Sequence, residues 1–394
     1  MQPTTIQHAP YRRAVVFILS IAALMRIYTC FFTGKAWFST DSYAYFSQAD
    51  AIIAGRPFIY TPNGYPLLVA AVKLIAPSHF VPASVIWINI IFSLFVVFFT
   101  IKIAENLTDV KAVCLGAGVL AATLPSQLNF VRYLYSEVPT AFFFLFGILQ
   151  LLRSRHIKAG ALLYTATLFR STVTPVLPYS LICSTLFLKR WRPAAQIMWG
   201  ALLAAMLYLP LEWRGIVKPP GNLAENIIAA NDSNADSWRM GRTGSTTQTV
   251  EAVKSYIRFA QDHTVLFLKY RVVSLWDLWG PWPPAGDPAR PRSFVARILI
   301  GLRCPLLLLA IIGFVRIRKK YGAWICAGPI VFITIIHVLL FSEARYTYVV
   351  EPLVIVLSSI GFAAMLGRLT PPDPHPEPFG SKAGSLAAQG VGAS

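Results

Sequence analysis

The sequence predicts an all-α polytopic membrane protein, and three observations lead to this fold class. Of its 394 residues, 56% are hydrophobic and only 13% are charged, whereas soluble domains contain about 25% charged residues. Apolar runs of roughly membrane-spanning length recur along the chain. Clusters of Lys and Arg separate alternate runs, as the positive-inside rule requires of cytoplasmic loops. We therefore predict about ten transmembrane helices, with both termini in the cytoplasm.

Charge and cysteine content exclude several classes of function. A net charge of +18 would indicate a nucleic-acid partner in a soluble protein. In a membrane protein, Lys and Arg near lipid headgroups account for it, so we predict membrane lipids and no nucleic acid as partners. The five cysteines lie in or beside apolar runs without a CxxC spacing, which favours small buried residues over disulfides or zinc ligands. There is no P-loop and no GxGxxG sequence to bind a nucleotide.

The spans are predicted from apolar runs and the charges between them. Residues 1–13 are polar and end in Arg12-Arg13, which places the N-terminus in the cytoplasm. The first span covers 14–33 and contains Arg26, which we expect to snorkel or to pair. The later runs are 83–103, 111–126, 138–152, 159–174, 175–188, 194–211, 295–315, 321–341 and 348–367. With ten spans, the basic segments RSRHIK, KRWR and RIRKK all fall inside.

The chain divides into five predicted regions. A cytoplasmic N-terminus is followed by a transmembrane module, an outer loop, a second set of spans and a disordered cytoplasmic tail rich in Pro, Gly and Ala. Their bounds are 1–13, 14–211, 212–294, 295–367 and 368–394. Within the outer loop, a helix is predicted from Thr249 to Asp262. Residues 265–280 are apolar but contain three charges, which favours an interfacial helix over a span.

The long first outer loop, residues 34–82, is the most informative stretch. Between Asp41 and Leu68 it contains two acids, four tyrosines, three prolines and two glycines. We predict a surface helix over 41–55, capped by Thr40. A membrane-flanking loop of this composition is more than a connector, and we predict that Asp41 performs acid–base chemistry there. The alternative is a first-turn acid that only interacts with the helix dipole.

Other ionisable residues gather at the same predicted face from distant parts of the chain. Arg132 and Glu137 lie on the second outer loop, Arg170 closes the outer end of a span, and Arg345 lies on the last outer loop. Charged groups near membrane depth are costly unless they are paired or functional. Acids and arginines that converge at one face are suited to hold an anionic, lipid-borne substrate and to activate a hydroxyl beside it.

Four motifs, in their order, resemble the GT-C superfamily of membrane glycosyltransferases, in particular the branch of protein O-mannosyltransferases and lipid A aminoarabinose transferases. The first loop reads D-x-Y-x-Y…A…G-R-P…P-x-G-Y-P-L-L. The others are YSEVPTAFFFLFGILQLL, GALLYTATLFRSTVTPVLP and EARYTYVVEPLVIVL, so that the resemblance covers roughly residues 14–367. It departs from the family at Ser42, where several relatives carry a second acid, and at Gly64-Tyr65-Pro66-Leu67.

The resemblance implies a GT-C-like arrangement of helices and transfer of a sugar from a polyprenyl-phosphate donor to a hydroxyl of a lipid, glycan or protein acceptor, with inversion. Asp41 would be the general base. The donor phosphate would be bound by Arg345, Tyr346, Arg170 and Arg132. The sugar or the acceptor would be positioned by Glu137, Tyr43, Tyr45 and Tyr65. No cofactor and no metal ligands are predicted. A divalent metal is compatible with such a site, but the resemblance does not establish that this chain uses one.

The expected location is a bacterial inner membrane, with the site facing the periplasm or exterior. The main alternative function is a transporter or flippase of a lipid-linked saccharide, which predicts charged residues along the membrane midplane. A third alternative is a non-catalytic membrane scaffold, in which replacement of Asp41 has no effect.

Overall fold

Helices alone make up the regular structure of the described chain. The computed structural model describes residues 8–33, 37–56, 62–214, 246–280, 301–340 and 344–368. Within these ranges there are fifteen α-helices and no β-strand, which confirms the all-α prediction. In chain order they are α1 (His8–Phe31), α2 (Thr40–Ile53), α3 (Gly64–Ile75), α4 (Val81–Leu107), α5 (Lys111–Thr123), α6 (Pro125–Asn129), α7 (Glu137–Leu152), α8 (His156–Phe169), α9 (Val176–Leu188), α10 (Arg192–Trp213), α11 (Thr246–Asp262), α12 (Thr264–Trp279), α13 (Arg303–Ile317), α14 (Tyr321–Leu339) and α15 (Glu351–Met365).

Several helices are long and apolar enough to cross a membrane, as in an integral membrane protein. Fewer of them reach that length than the ten spans predicted. Among the described residues, five segments are long and apolar enough to span, and a sixth arises if α5 and the bent segment after it count as one. The five are Ala9–Phe31, Ser78–Leu107, Ser171–Leu188, Arg192–Trp213 and Tyr321–Leu339. Four other predicted spans appear as helices of 14 to 16 residues, namely α7, α8, α13 and α15. A 16-residue helix is about 24 Å long, less than a hydrocarbon core of about 30 Å.

The predicted outer loop 212–294 is described only in part. The helix expected from Thr249 to Asp262 is present as α11, which begins three residues earlier. Helix α12 covers the expected interfacial segment, and its Arg271 donates to the backbone carbonyls of Val338 and Leu339 at the end of α14. The arginine thereby satisfies carbonyls that a helix C-terminus leaves without partners. Residues 215–245, 281–300 and the tail from 369 onward lie outside the described residues.

Helices α8 and α10 pack backbone to backbone through two glycines. A Cβ added to Gly160 would lie 1.9 Å from the carbonyl oxygen of Ile197, and one added to Gly200 would lie 1.9 Å from that of Ile157. Small residues that let helix backbones approach are typical of membrane helix pairs. This contact fixes α8, whose last residue is followed directly by Arg170.

Gly160→Ala is therefore expected to destabilise the protein strongly. The added methyl group meets a backbone carbonyl rather than a flexible side chain, so the cost should exceed the about 1–3 kcal/mol that is usual for overpacking. Thermal unfolding of the purified protein in detergent measures the effect. Gly116→Ala in α5 is the control, because nothing lies within 4 Å of its added Cβ and alanine favours the helix. Equal melting temperatures for the two variants would contradict the packing argument.

A fully buried arginine supports a bend in the chain. Helices α5 and α6 belong to a pair of segments that are bent by 49°, where Pro125 prevents the first helix from continuing. Arg26 of α1 has no exposed surface, and its guanidinium donates to the carbonyls of Ala121 and Ala122 at 3.3 and 3.2 Å. It also donates to Ser93 Oγ of α4 at 2.6 Å. Of the two expectations for Arg26, snorkelling or pairing with other groups, the structure favours internal partners, because these acceptors satisfy the charge inside the protein.

The other side of the bend is bonded to the start of α15. The carboxylate of Glu351 accepts from Ser126 Oγ at 2.5 Å and from Gln127 Nε2 at 2.7 Å, and Arg303 Nε lies 3.5 Å away. We call Arg26, Ser93, Ser126, Gln127, Glu351 and Arg303 the polar layer. Arg26 is five residues from the end of α1, or about 7.5 Å along the helix. The layer therefore lies near the C-terminal end of α1.

Candidate active site

Helix α2 carries Asp41 in its first turn, and two serines begin that helix. Ser39 is the N-cap residue, so the prediction of Thr40 as the cap is wrong by one position. The backbone N–H of Ser39 donates to Ser42 Oγ at 3.1 Å, which is half of a capping box. Ser42 is fully buried. Ser42, which stands where the family that the motifs resemble has a second acid, therefore accepts from the N-cap residue here, while Asp41 stays at the helix N-terminus.

The first loop is anchored onto the ends of α7 and α8. A Cβ added to Gly64 would lie 2.8 Å from the backbone of Leu168, so α3 approaches the end of α8 as closely as only glycine permits. The hydroxyl of Tyr45 lies 3.2 Å from Ser136 Oγ, immediately before Glu137 at the start of α7. The rings of Tyr45 and Tyr65 are in edge contact at 5.0 Å. Both tyrosines are buried, and they support the loop from beneath.

Two carboxylates and two guanidiniums meet at this end of the bundle. Arg345 Nη1 donates to Asp41 Oδ2 at 2.5 Å, although the two residues are 304 positions apart. Arg170 Nη1 lies 2.7 Å from Glu137 Oε1. The two pairs are linked, because Arg345 Nε lies 4.0 Å from the same Glu137 oxygen. We call these four residues the charge cluster.

Exposure differs sharply across the charge cluster. The side chain of Glu137 is 1% exposed and that of Arg170 is 11% exposed, whereas Arg345 is 18% and Asp41 is 33% exposed. The Glu137–Arg170 pair is therefore the buried floor of the cluster, and Asp41 is the member most accessible from outside. A substrate can reach Asp41 first and Arg345 behind it.

Tyr346 supports both arginines. Its ring centroid lies 4.6 Å from the guanidinium carbon of Arg170 and 5.4 Å from that of Arg345, distances at which a cation is attracted to an aromatic ring. His337 of α14 stacks on the same ring at 4.1 Å. A short 3₁₀ helix, Ala344–Thr347, carries Arg345 and Tyr346. Both guanidiniums therefore lie over one ring and beside one carboxylate oxygen, Glu137 Oε1.

Two predicted site residues are not brought into the charge cluster. Tyr43 is 63% exposed, and its ring contacts Phe38 at 5.2 Å. Arg132 is buried; its guanidinium lies over the ring of Tyr133 and donates to that residue's hydroxyl at 2.7 Å. In the described part of the chain, neither residue forms a hydrogen bond or an ion pair with Asp41 or Glu137.

Sequence analysis missed two aromatic residues of the site. Tyr135 lies under Arg345, with 5.6 Å between its ring centroid and the guanidinium carbon, and His337 supports Tyr346. Burial raises the pKa of Tyr135 to about 12, although Ser39 and Arg345 act in the opposite direction, so its hydroxyl remains protonated at neutral pH. The position of Tyr135, two residues before Glu137, could have indicated it, whereas nothing in the sequence around His337 could have.

No metal-binding cluster is apparent in the described ranges. They contain no group of three or more His, Cys, Asp or Glu side chains placed to hold an ion. The two carboxylates of the charge cluster are each paired with arginine instead. Chemically, the cluster offers an accessible carboxylate beside a bound guanidinium, with a second guanidinium and a phenol ring behind them.

Comparison with solved structures reveals the same fold in an archaeal enzyme. The oligosaccharyltransferase AglB of Archaeoglobus fulgidus, in complex with an inhibitory peptide and a dolichol-phosphate, superposes with a TM-score of 0.54 at 13% identity, over 95% of this chain and 54% of the enzyme. The Archaeoglobus fulgidus oligosaccharyltransferase in its apo form gives 0.54 at 14% identity, over 96% and 52%. The same enzyme tethered to an acceptor peptide containing the NVT sequon gives 0.56 at 13% identity, over 90% and 50%.

The chain has the fold of an oligosaccharyltransferase. It spans about half the length of the structures it matches. The shared fold agrees with the helix arrangement predicted from the motifs, while the superfamily and the branch suggested by those motifs stay predictions. No protein-family model matches the chain, and no curated protein sequence does.

Proposed function

We propose that the protein is a membrane glycosyltransferase that moves a sugar from a polyprenyl-phosphate donor to a hydroxyl of a lipid, glycan or protein acceptor. The observation that carries this proposal is the charge cluster, in which Asp41 and Arg345 are in contact at one end of the bundle. An accessible carboxylate beside phosphate-binding side chains is what this transfer needs. The fold shared with a lipid-linked-sugar transferase supports the same conclusion.

Asp41 acts as the general base in the proposed reaction. Its carboxylate accepts the proton of the acceptor hydroxyl while that oxygen bonds to the anomeric carbon of the sugar. The bond from the anomeric carbon to the phosphate oxygen breaks, and polyprenyl phosphate leaves with the electron pair. One displacement with one base inverts the anomeric configuration. Charge grows on the leaving phosphate, which fixed positive groups stabilise.

Arg345 and Arg170 receive the phosphate in this proposal. A guanidinium presents two parallel donors that match phosphate oxygens, and Tyr346 holds both guanidiniums beside one another. Glu137 binds both arginines from below and thereby positions them. Tyr45 and Tyr65 keep the first loop against this floor. Tyr43 and Arg132 have no part in the proposed reaction.

An apolar groove is suited to the hydrocarbon chain of the donor. A groove of about 350 Å³ opens among α8, α9 and α10, and its lining is almost wholly apolar. Tyr164, which lines it, is six residues before Arg170, or about 9 Å along α8. The AglB structure that contains a dolichol-phosphate suggests a lipid phosphate of the same kind for this chain. The acceptor peptide of the tethered oligosaccharyltransferase makes a protein acceptor one of the candidates here.

We place the protein in a bacterial inner membrane, with the charge cluster facing the periplasm. The proposed orientation rests on the Lys and Arg clusters, which the predicted topology assigns to the opposite face. The transporter alternative requires charged groups along the membrane midplane. The buried charges of the polar layer are instead bonded within the protein: Arg26 donates to Ser93, and Glu351 accepts from Ser126 and is paired with Arg303. These contacts favour a structural role for the three charges.

Sugar transfer by membranes that contain the wild-type protein is the first test. Membranes would be supplied with a panel of polyprenyl-phosphate sugars and with lipid and glycan extracts as acceptors, and transfer would be followed by mass spectrometry. A parallel assay would follow movement of a fluorescent lipid-linked saccharide across sealed vesicles. Transfer without movement supports the proposal; movement without transfer would favour the flippase.

Arg345→Lys is expected to raise the donor KM about tenfold, with a smaller effect on kcat. Lysine keeps the charge but loses the two-pronged geometry of the guanidinium, and a factor of ten corresponds to about 1.4 kcal/mol of binding. Steady-state transfer rates at varied donor concentration measure this. Arg214→Lys is the matched control, because Arg214 is exposed at the end of α10. An unchanged donor KM in Arg345→Lys would remove Arg345 from the donor site.

A further inference from the structure

We infer that Arg345 is shared in turn between the base and the donor: the donor phosphate draws its guanidinium away from Asp41, so that the base becomes available only after the donor has bound. This inference rests on the proposed function and adds a binding order to it. It starts from the contact itself. Asp41 Oδ2 is 2.5 Å from Arg345 Nη1, so the oxygen expected to take a proton already accepts a charged hydrogen bond.

The geometry allows Arg345 to change partners. Arg345 Nε already lies 4.0 Å from Glu137 Oε1, and the guanidinium lies over the rings of Tyr346 and Tyr135 at 5.4 and 5.6 Å. A guanidinium that leaves Asp41 therefore keeps its second carboxylate and both rings. In this exchange of partners, Arg345 loses its ion pair with Asp41, whose side chain is one-third exposed, and forms a new ion pair with the donor phosphate.

Arg170 is not equally able to move. Its pair with Glu137 is buried on both sides, at 11% and 1% exposure, and separation of a buried pair leaves an uncompensated charge. Arg170 thus stays in place and Arg345 moves, although Tyr346 supports both.

The inference has an unusual consequence. Asp41 and the donor phosphate compete for one guanidinium, so removing the charge of Asp41 should strengthen donor binding. Asp41→Asn would lower the transfer rate by about 10²–10⁴-fold, as loss of a general base does, and at the same time bind the lipid phosphate more tightly. A base that acted independently of Arg345 would show the first effect without the second.

A double-mutant cycle on lipid binding tests this consequence. Binding of polyprenyl phosphate without a sugar would be measured for the purified wild type, Asp41→Asn, Arg345→Met and the double variant. We expect Asp41→Asn to lower the Kd about three- to tenfold relative to the wild type. In the Arg345→Met background, Asp41→Asn should leave the Kd unchanged, because the shared guanidinium is absent.

The controls separate this mechanism from its alternatives. Asp41→Asn also removes a negative charge, and simple repulsion of the phosphate would persist in the Arg345→Met background, which would overturn the inference. Asp50→Asn changes an exposed aspartate of the same helix, paired with Lys73 at 2.7 Å, and should leave the Kd unchanged. Melting temperatures would establish that each variant is folded. A Kd for Asp41→Asn equal to or above that of the wild type also overturns the inference, while failure of the wild type itself to bind polyprenyl phosphate contradicts the proposed function.

Discussion

Asp41→Asn is expected to lower the rate of sugar transfer by about 10²–10⁴-fold, the range that a positioned general base contributes. Asparagine keeps the size of the side chain and an acceptor oxygen for Arg345, but it cannot take the proton of the acceptor hydroxyl. The loss should appear in kcat at saturating donor, since donor binding survives. Initial rates with matched amounts of wild type and variant in the same membranes measure it.

The matched control is Asp50→Asn, nine residues further along α2. Asp50 is exposed and paired with Lys73, so we expect its replacement to leave the transfer rate within twofold of the wild type. If Asp41→Asn transferred sugar as fast as the wild type, Asp41 would be a helix N-terminal acid only. Glu137 would then be the next carboxylate to test.

Glu137→Gln is expected to destabilise the folded protein by about 3–5 kcal/mol, the usual cost of removing one partner from a buried ion pair. Its carboxylate is 1% exposed and lies 2.7 Å from the guanidinium of Arg170, which would remain buried without its counter-charge. Transfer should fall as well, because Glu137 also lies beside Arg345. Chemical denaturation or thermal unfolding in detergent measures the change in stability.

Glu105→Gln provides the comparison for this prediction. Glu105 is paired with Lys102 at 2.8 Å, but both side chains are more than one-quarter exposed. Pairs in contact with solvent contribute about 0–1 kcal/mol, so the melting temperature should hardly change. A Glu137→Gln protein as stable as Glu105→Gln would mean that water or another group compensates Arg170.

Much of the architecture could be predicted from the sequence because hydropathy and charge determine it locally. The all-α fold, the helix that begins the first loop and the convergence of Asp41, Glu137, Arg170 and Arg345 all follow from apolar runs and their alternation across a membrane. The sequence alone misassigns the cap of α2 because Ser39 and Thr40 are adjacent and both belong to the residue types that favour the N-cap position. Only the bond from the Ser39 N–H to Ser42 distinguishes them.

Other features depend on contacts that a single sequence does not encode locally. Arg132 and Arg170 are both arginines on predicted outer segments. The guanidinium of Arg132 nevertheless lies over the ring of Tyr133, whereas that of Arg170 pairs with Glu137. Arg26 is satisfied by carbonyls of α5, about 95 residues away, and no pattern around Arg26 predicts that bond. The number of spans is equally undetermined, because helices such as α13 and α15 are 15 residues long and length alone does not assign them.

The separation of 304 positions between Asp41 and Arg345 has a consequence for biosynthesis. At about 5–20 residues per second, roughly 15 to 60 seconds pass between translation of the base and translation of its arginine partner. During that interval the first loop has already left the ribosome, and Asp41 has no guanidinium from the C-terminal segment beside it. A nascent chain that ended before Arg345 would thus contain Asp41, the first loop and the apolar groove, yet it would have no complete charge cluster. If the proposed function holds, the site is therefore completed only when the segment that carries Arg345 has been synthesised.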